Sequence, residues 1–326
     1  MRDHEVTLLE QFPLEHDKGS SHGRTRIIRR AYPDPFYTKC MEEAFPLWRQ
    51  LEAEASVKLI HEVGLFYFGP SEAPDMGSTI AGLRDLNVPF ELVDASTVHR
   101  FMPNLQMERE ESGIYTPEAG WIDAALAMRS LLDLVVGLGV QVVSARATLE
   151  QLSNFDHAVV TAGAWIHDWW PGAPVKVTLQ SFGYLNLKQE GPVWIEEGKN
   201  LVYGFPSDKH GLKAGIHRAG RTINPRDGNR DPDLNDLETI REFARRRFGA
   251  DGGQVIEPRG CLYTSTASED FLIHQPNEKV LVASACSGHG FKFGPWFGKL
   301  LADLVEGRTT LNQYPRFSGL AGSGTL

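Results

Sequence analysis

Four guanidiniums fall within seven residues of this sequence, at Arg24, Arg26, Arg29 and Arg30, with Ile27 and Ile28 between them. Such a run is either a solvated basic face or a group of cations of which some turn inward, and the apolar pair speaks for the second. An arginine that turns inward needs a carboxylate or phosphate partner, and its planar fork suits a carboxylate. Lys292 sits between two phenylalanines in a glycine-rich turn, Ser287-Gly-His-Gly-Phe-Lys-Phe293. It is either a snorkelling surface lysine or a cation aimed at a ligand. Lys213 lies among Leu212, Ala214 and Ile216, as an outward-facing strand residue or as a cation held over a cofactor, where fixed positive charge stabilises a developing anion. Cys261, in Gly260-Cys-Leu-Tyr-Thr264, is a small buried hydrophobe or a thiol with chemistry. Tyr203 and His217 are core residues or the lining of a pocket.

The elements that must carry these side chains follow from periodicity. Apolar Val6–Glu10, Val140–Val143, His157–Gly163 and Lys279–Ala285 read as strands, the first and third as buried strands of a parallel sheet. Phe36–Glu54 repeats apolar residues at steps of three and four and reads as a helix. Asp123 is the expected N-cap of a helix running to about Val136, and helices are also expected over Asp236–Arg247 and from Gly294 to Glu306. Residues 57–69 read as strand, 175–220 as antiparallel sheet and 255–264 as strand, while the stretch up to residue 118 reads as polar connection. Strands alternating with helices at both ends, around a sheet-rich middle, predict an α/β chain: a Rossmann-like nucleotide-binding domain plus an α+β domain with a mixed or antiparallel sheet. The expected boundaries are 1–55, 118–172 and 255–326 for the first domain, and 56–117 and 173–254 for the second.

Composition narrows the function classes. At 326 residues, 41% hydrophobic and 23% charged, the chain has the make-up of a globular protein. A formal charge of -9 argues against nucleic acid or an anionic membrane surface as partner. No run approaches a membrane-spanning length. Three scattered cysteines form no disulfide framework, and eleven histidines show no metal-ligand spacing, so no metal is expected. A serine hydrolase is disfavoured because Ser287-Gly-His289 sets its two residues too close together for a nucleophile–base relay. The C-terminal Gly-Thr-Leu is not a peroxisomal address, which leaves the cytoplasm as the default expectation.

Four stretches, in this order, resemble the monomeric sarcosine oxidase and pipecolate oxidase family: Gly19–Tyr32, Tyr203–Ser207 with Gly211–Lys213 and His217, Gly260–Thr264, and Ser287–Phe293. The resemblance runs from about Val6 to about residue 310. It implies an FAD-dependent amine oxidase that oxidises the C–N bond of a small secondary or N-methyl amino acid, with oxygen as acceptor and an imine and hydrogen peroxide as products. By the same resemblance Arg29 and Lys292 clamp the substrate carboxylate, and Lys213 stands over the flavin where oxygen reacts. Arg26 and His22 lie beside the flavin ring, Tyr203 and His217 line the amine pocket, and Cys261 forms a thioether to the flavin. Glu10 takes the position of the acid that binds ribose. Gly163, Tyr263, Gly288, His289 and Gly290 are the remaining expected flavin contacts.

One part of the dinucleotide-binding pattern is missing. That pattern opens with a strand, a G-x-G-x-x-G turn and a helix about 20 residues ahead of the acid. Only nine residues precede Glu10, so the sequence resembles a family member that starts at its second strand, and an unpaired sheet edge is expected. Ser144–Asp156 is likewise too brief for the three-stranded excursion the family carries there. Three accounts are compatible with this: an incomplete gene product, a shortened protein holding flavin covalently through Cys261, or a flavin-free protein that binds a carboxylate ligand or partner without turnover.

Overall fold

The computed structural model describes residues 4–217, 220–249 and 253–319. In chain order these form β1 (Thr7–Glu10), β2 (Thr25–Ile28), α1 (Pro35–Ala55), β3 (Ile60–His61), β4 (Leu65–Pro70), α2 (Pro74–Asp85), β5 (Glu91–Asp94), β6 (Glu111–Thr116) and β7 (Gly120–Asp123). Then follow α3 (Ala124–Gly137), β8 (Gln141–Ser144), α4 (Leu149–Leu152), β9 (Ala158–Val160), β10 (Lys176–Leu185), β11 (Val193–Glu196), β12 (Val202–Gly204), β13 (Leu212–Ile216) and β14 (Arg221–Thr222). The chain closes with α5 (Leu234–Phe248), β15 (Val255–Ser265), β16 (Leu272–Asn277), β17 (Val280–Ser284) and α6 (Gly294–Val305).

Local chemistry explains the helix boundaries. Asp34 caps α1 by accepting from the Phe36 amide at 2.9 Å, and Pro35 starts the first turn. Its buried stripe of Tyr37, Cys40, Met41, Ala44, Trp48 and Leu51 packs against α6 and Phe271, and Ser56 ends the helix in the left-handed region. Asp123 caps α3 by accepting from Leu126 N at 2.9 Å. Cys40 is core, as its place on the stripe implies.

A nine-stranded mixed sheet forms the larger platform, in the order β14-β10-β13-β12-β11-β4-β6-β5, with β15 along the other edge of β10. Alternation divides its residues between two faces. Phe66, Phe68, Trp194, Leu212, Ala214 and Ile216 pack with Leu237, Ile240 and Phe243 of α5. The opposite face carries Tyr67, Ile195, Tyr203, Lys213 and Phe182, all lining one cavity. A buried ionic cluster ties α5 to this sheet. Arg247, 1% exposed, donates from Nε to Glu196 at 2.8 Å and from Nη1 to Glu111 at 2.8 Å.

The other strands form three small sheets: parallel β1-β8, β16-β17-β9 with β17 and β9 parallel, and β2-β7-β3. Two expectations need correction here. Val6–Glu10 and His157–Gly163 do form strands, but they are shorter than expected and only partly buried: Leu8 is 41% and Val159 42% exposed, while Val160 is in the core. Among the described residues, neither β1 nor β9 has a strand on its second edge, and a parallel sheet covers its residues only when flanked on all sides. The stretch before residue 118 is not simple connection either, since it holds α2, β5 and β6. No described helix is long and apolar enough to cross a membrane.

Candidate active site

A cavity of about 2610 Å³ lies between the cavity-facing side of the large sheet and the small sheets. That is well above the roughly 300–1,000 Å³ of a pocket for one small ligand, so there is room for an extended cofactor and a substrate. Every residue given a site role from sequence lines it: Glu10, His22, Arg26, Arg29, Gly163, Tyr203, Lys213, His217, Cys261, Tyr263, Gly288, His289, Gly290 and Lys292.

The strand alternation turns Lys213 into the cavity rather than to solvent. Its apolar neighbours face the core under α5, while Lys213 points the other way and is 5% exposed. Its Nζ donates to the Thr25 carbonyl at 2.9 Å and to Thr25 Oγ1 at 3.2 Å, above the rings of Phe182 and Phe205. Burial, with Arg26 nearby, pushes its pKa well below the ordinary lysine range. Arg26 is held by backbone, donating from Nη2 to Ser20 O at 2.7 Å and to His22 O. Burial first and Arg26 second hold the His22 imidazole down to about 4, so it is neutral at pH 7.

The arginine run splits as its isoleucines imply. Arg24 and Arg30 reach carboxylates, Glu257 at 3.1 Å for the first, and Glu118 and Glu42 at 2.7 and 2.8 Å for the second. Arg29 donates to Ala31 O at 2.6 Å and stacks 4.1 Å above the Tyr32 ring. Lys292 Nζ donates to His289 O at 2.8 Å and lies 5.6 Å from the same ring. Burial and Arg29 both push the Lys292 pKa well below its ordinary range. Among the described residues no carboxylate is hydrogen-bonded to either cation. Two cations beside one another, with no hydrogen-bonded carboxylate among the described residues, have the charge and the donors to accept a carboxylate. Neither Tyr32, whose ring shares both cations, nor Thr25 is assigned a part from residue types and spacing. An aromatic three residues after the inward arginine was the available signal for Tyr32.

Glycines shape the opposite wall. Gly288, at φ +74°, lies so close to Tyr263 and His217 that a Cβ would come within 2.4 Å of the tyrosine ring, and at Gly290 it would meet Ala285 O. Gly163, at φ +52°, opens onto free space in the cavity. His289 is fixed by Glu269 O at 3.0 Å and Tyr32 Oη at 3.4 Å, and burial keeps it neutral. Burial raises the Tyr203 phenol to about 12, and it raises the Cys261 thiol against the pull of Arg26. Cys261 faces the cavity from β15 opposite Gln180. Cys286, without an assigned role, accepts from Thr264 N at 3.3 Å. Glu10 ends β1, its carboxylate turned to Phe12 N at 2.9 Å and His16 at 3.5 Å. The described residues contain no cluster fit to hold a metal ion.

A profile of the FAD dependent oxidoreductase (DAO) family matches residues 1–304. The chain belongs to this family. Human peroxisomal sarcosine oxidase is 29% identical over 334 residues, covering 92% of this chain and 85% of that protein. Monomeric sarcosine oxidase of Arthrobacter is 28% identical over 344 residues, 93% and 86% of the two chains. N-methyl-L-tryptophan oxidase of Yersinia pestis is 26% identical over 340 residues, 96% and 91%. In fold, NikD, an amino acid oxidase of nikkomycin biosynthesis, superposes with a TM-score of 0.82 at 20% identity over 97% of this chain and 91% of that one. The expected family, α/β fold and FAD dependence are thereby borne out. The site fits the group: an open glycine at Gly163, two glycines without room for side chains, a thiol, and cations from Arg26 and Lys213 that suit a reduced, anionic ring.

Proposed function

We propose that this FAD-dependent enzyme oxidises the C–N bond of a small secondary or N-methyl amino acid, with dioxygen as the acceptor. The pairing of Arg29 and Lys292 around Tyr32, with no carboxylate hydrogen-bonded to either among the described residues, carries this reading. The names of the relatives, oxidases of sarcosine and N-methyltryptophan, support it. Arg29 and Lys292 hold the substrate carboxylate, which fixes the amine carbon against the ring-binding wall of Gly288, Tyr263 and His217. FAD, when bound, supplies the two-electron acceptor for the C–N carbon's hydrogen, leaving an imine that hydrolyses in water. His22, Arg26, Glu10, Gly163, His289 and Gly290 would line the cofactor, Tyr203 the amine pocket, and Cys261 would tether the ring by a thioether. Lys213 places a positive charge where reduced oxygen must form, and hydrogen peroxide leaves.

The test is stoichiometry. FAD-loaded protein given sarcosine, pipecolate or N-methyl amino acids should release one peroxide per amine oxidised. Amine loss without peroxide would overturn the oxygen acceptor, and no amine loss would overturn the substrate class.

A further inference from the structure

Across the large sheet, Ile195 stands in register with Tyr67 on one side and with Tyr203 on the other. Glu197 lies two residues beyond Ile195 and therefore projects from the same, cavity-lining face. Its carboxylate accepts from the hydroxyl of Tyr67, itself 2% exposed. Tyr67 is the only hydrogen-bonding partner of that carboxylate among the described residues, and no lysine or arginine pairs with it. The Tyr67 hydroxyl also feels the charges of Arg29 and Asp75. Arg29 and the Glu197 carboxylate therefore lie within electrostatic reach of one phenol.

A ligand that places its carboxylate on Arg29 and Lys292 meets an uncompensated negative charge further along the same wall. An aliphatic side chain laid there leaves that charge partly desolvated and unpaired, and a second carboxylate meets repulsion. We propose that the substrate bears a second cation, on a side chain several methylenes long, and that Glu197 is the residue that selects it. This rests on the carboxylate clamp of the preceding section and names the side-chain class that the clamp alone leaves open. Tyr67 is a positioning residue, orienting one carboxylate oxygen so that the other faces the ligand. The bland alternative is that Glu197 serves only as a hydrogen-bond partner for a buried tyrosine.

Three probes share the clamped end and differ at the tip: Nα-methyl-L-lysine, N-methyl-L-norleucine and N-methyl-L-glutamate. Dissociation constants come from the probe-concentration dependence of flavin reduction in the FAD-loaded full chain without oxygen, and kcat/KM ratios from peroxide release. The lysine probe should bind about tenfold more tightly than norleucine, the worth of one charge-assisted hydrogen bond, and glutamate should bind most weakly. In E197Q, which can still accept from Tyr67, the lysine-to-norleucine ratio should fall to within about twofold of one. Tyr67→Phe, which removes the hydroxyl that orients the carboxylate, should weaken the lysine preference without abolishing it. Each ratio is taken within a single variant, so a loss of folded protein cancels. Equal affinity for lysine and norleucine in the unmodified chain, or a ratio unchanged in E197Q, overturns the proposal. If all three probes bind but Arg29→Ala weakens none of them, the clamp has failed, and the proposal with it. A clamp that holds alongside a flat lysine-to-norleucine ratio sinks the selectivity alone.

Discussion

Replacing Arg29 with alanine tests the carboxylate clamp most directly. The guanidinium is aligned by Ala31 O at 2.6 Å and by the Tyr32 ring at 4.1 Å, so its fork is ordered before a ligand arrives. A charge-assisted hydrogen bond contributes roughly 1.5–3 kcal/mol, and two parallel ones could contribute twice that. Arg29 is only partly buried and Lys292 stays behind, so solvent and the second cation reduce the loss to about 2–3 kcal/mol. That corresponds to a rise of roughly 30- to 150-fold in KM for an N-methyl amino acid. Because the clamp holds substrate and transition state alike, kcat should change far less than KM. Arg29→Lys should recover part of the loss, charge without the fork. Steady-state peroxide release gives both constants, and an amide analogue of the substrate serves as an internal control that should be insensitive to the change. A KM within about threefold of the unmodified value would refute the assignment.

Cys261→Ser should leave no yellow colour in acid-precipitated protein, whereas the unmodified chain retains it; colourless precipitate from both would remove the thioether. Lys213→Met should slow reoxidation of the reduced enzyme by about 10²- to 10³-fold, read by stopped-flow with oxygen, while anaerobic reduction changes much less. Arg247→Met leaves Glu196 and Glu111 without their shared cation, and should cost about 3–5 kcal/mol in a urea titration. His22 has a folded pKa near 4 against about 6.5 when unfolded, so the unfolded state takes up its proton first and stability is lost as pH falls from about 6.5 towards 4. His22→Asn should flatten that slope in urea midpoints measured over the interval, and an unchanged slope would show that the imidazole is not buried as described.

The site was more legible than the scaffold around it. Lys213 could be placed because a strict two-residue alternation of Leu212, Ala214 and Ile216 leaves only one direction for it, once the helix covering the apolar face is known. The inward turn of Arg29 was signalled by the isoleucines, but which arginines would find carboxylates depended on Glu42, Glu118 and Glu257, which are distant in sequence. Glu197 carried no signal, since it reads as the polar end of a strand until Tyr67 is placed beside it. The α2 helix was missed because Ala73 offers no side-chain cap and Gly77 and Gly82 weaken its pattern. Burial of β1 and β9 was misjudged because apolar composition reports a preference for cover, not whether cover exists.

The bare edges of β1 and β9 bear on how the molecule holds its cofactor. Backbone groups on those edges have no ladder partner among the described residues, and Leu8, Val143 and Val159 lie partly open, so this region has little to resist local opening. The large sheet, stapled by Arg247, belongs to a firmer unit. A ligand that touches both must order the weaker part as it binds, and the free energy of that ordering is subtracted from its affinity. Occupancy would in turn stabilise the weak unit by mass action, so amide exchange in Thr7–Glu10 and Ala158–Val160 would fall with rising FAD concentration while exchange in the large sheet stayed level.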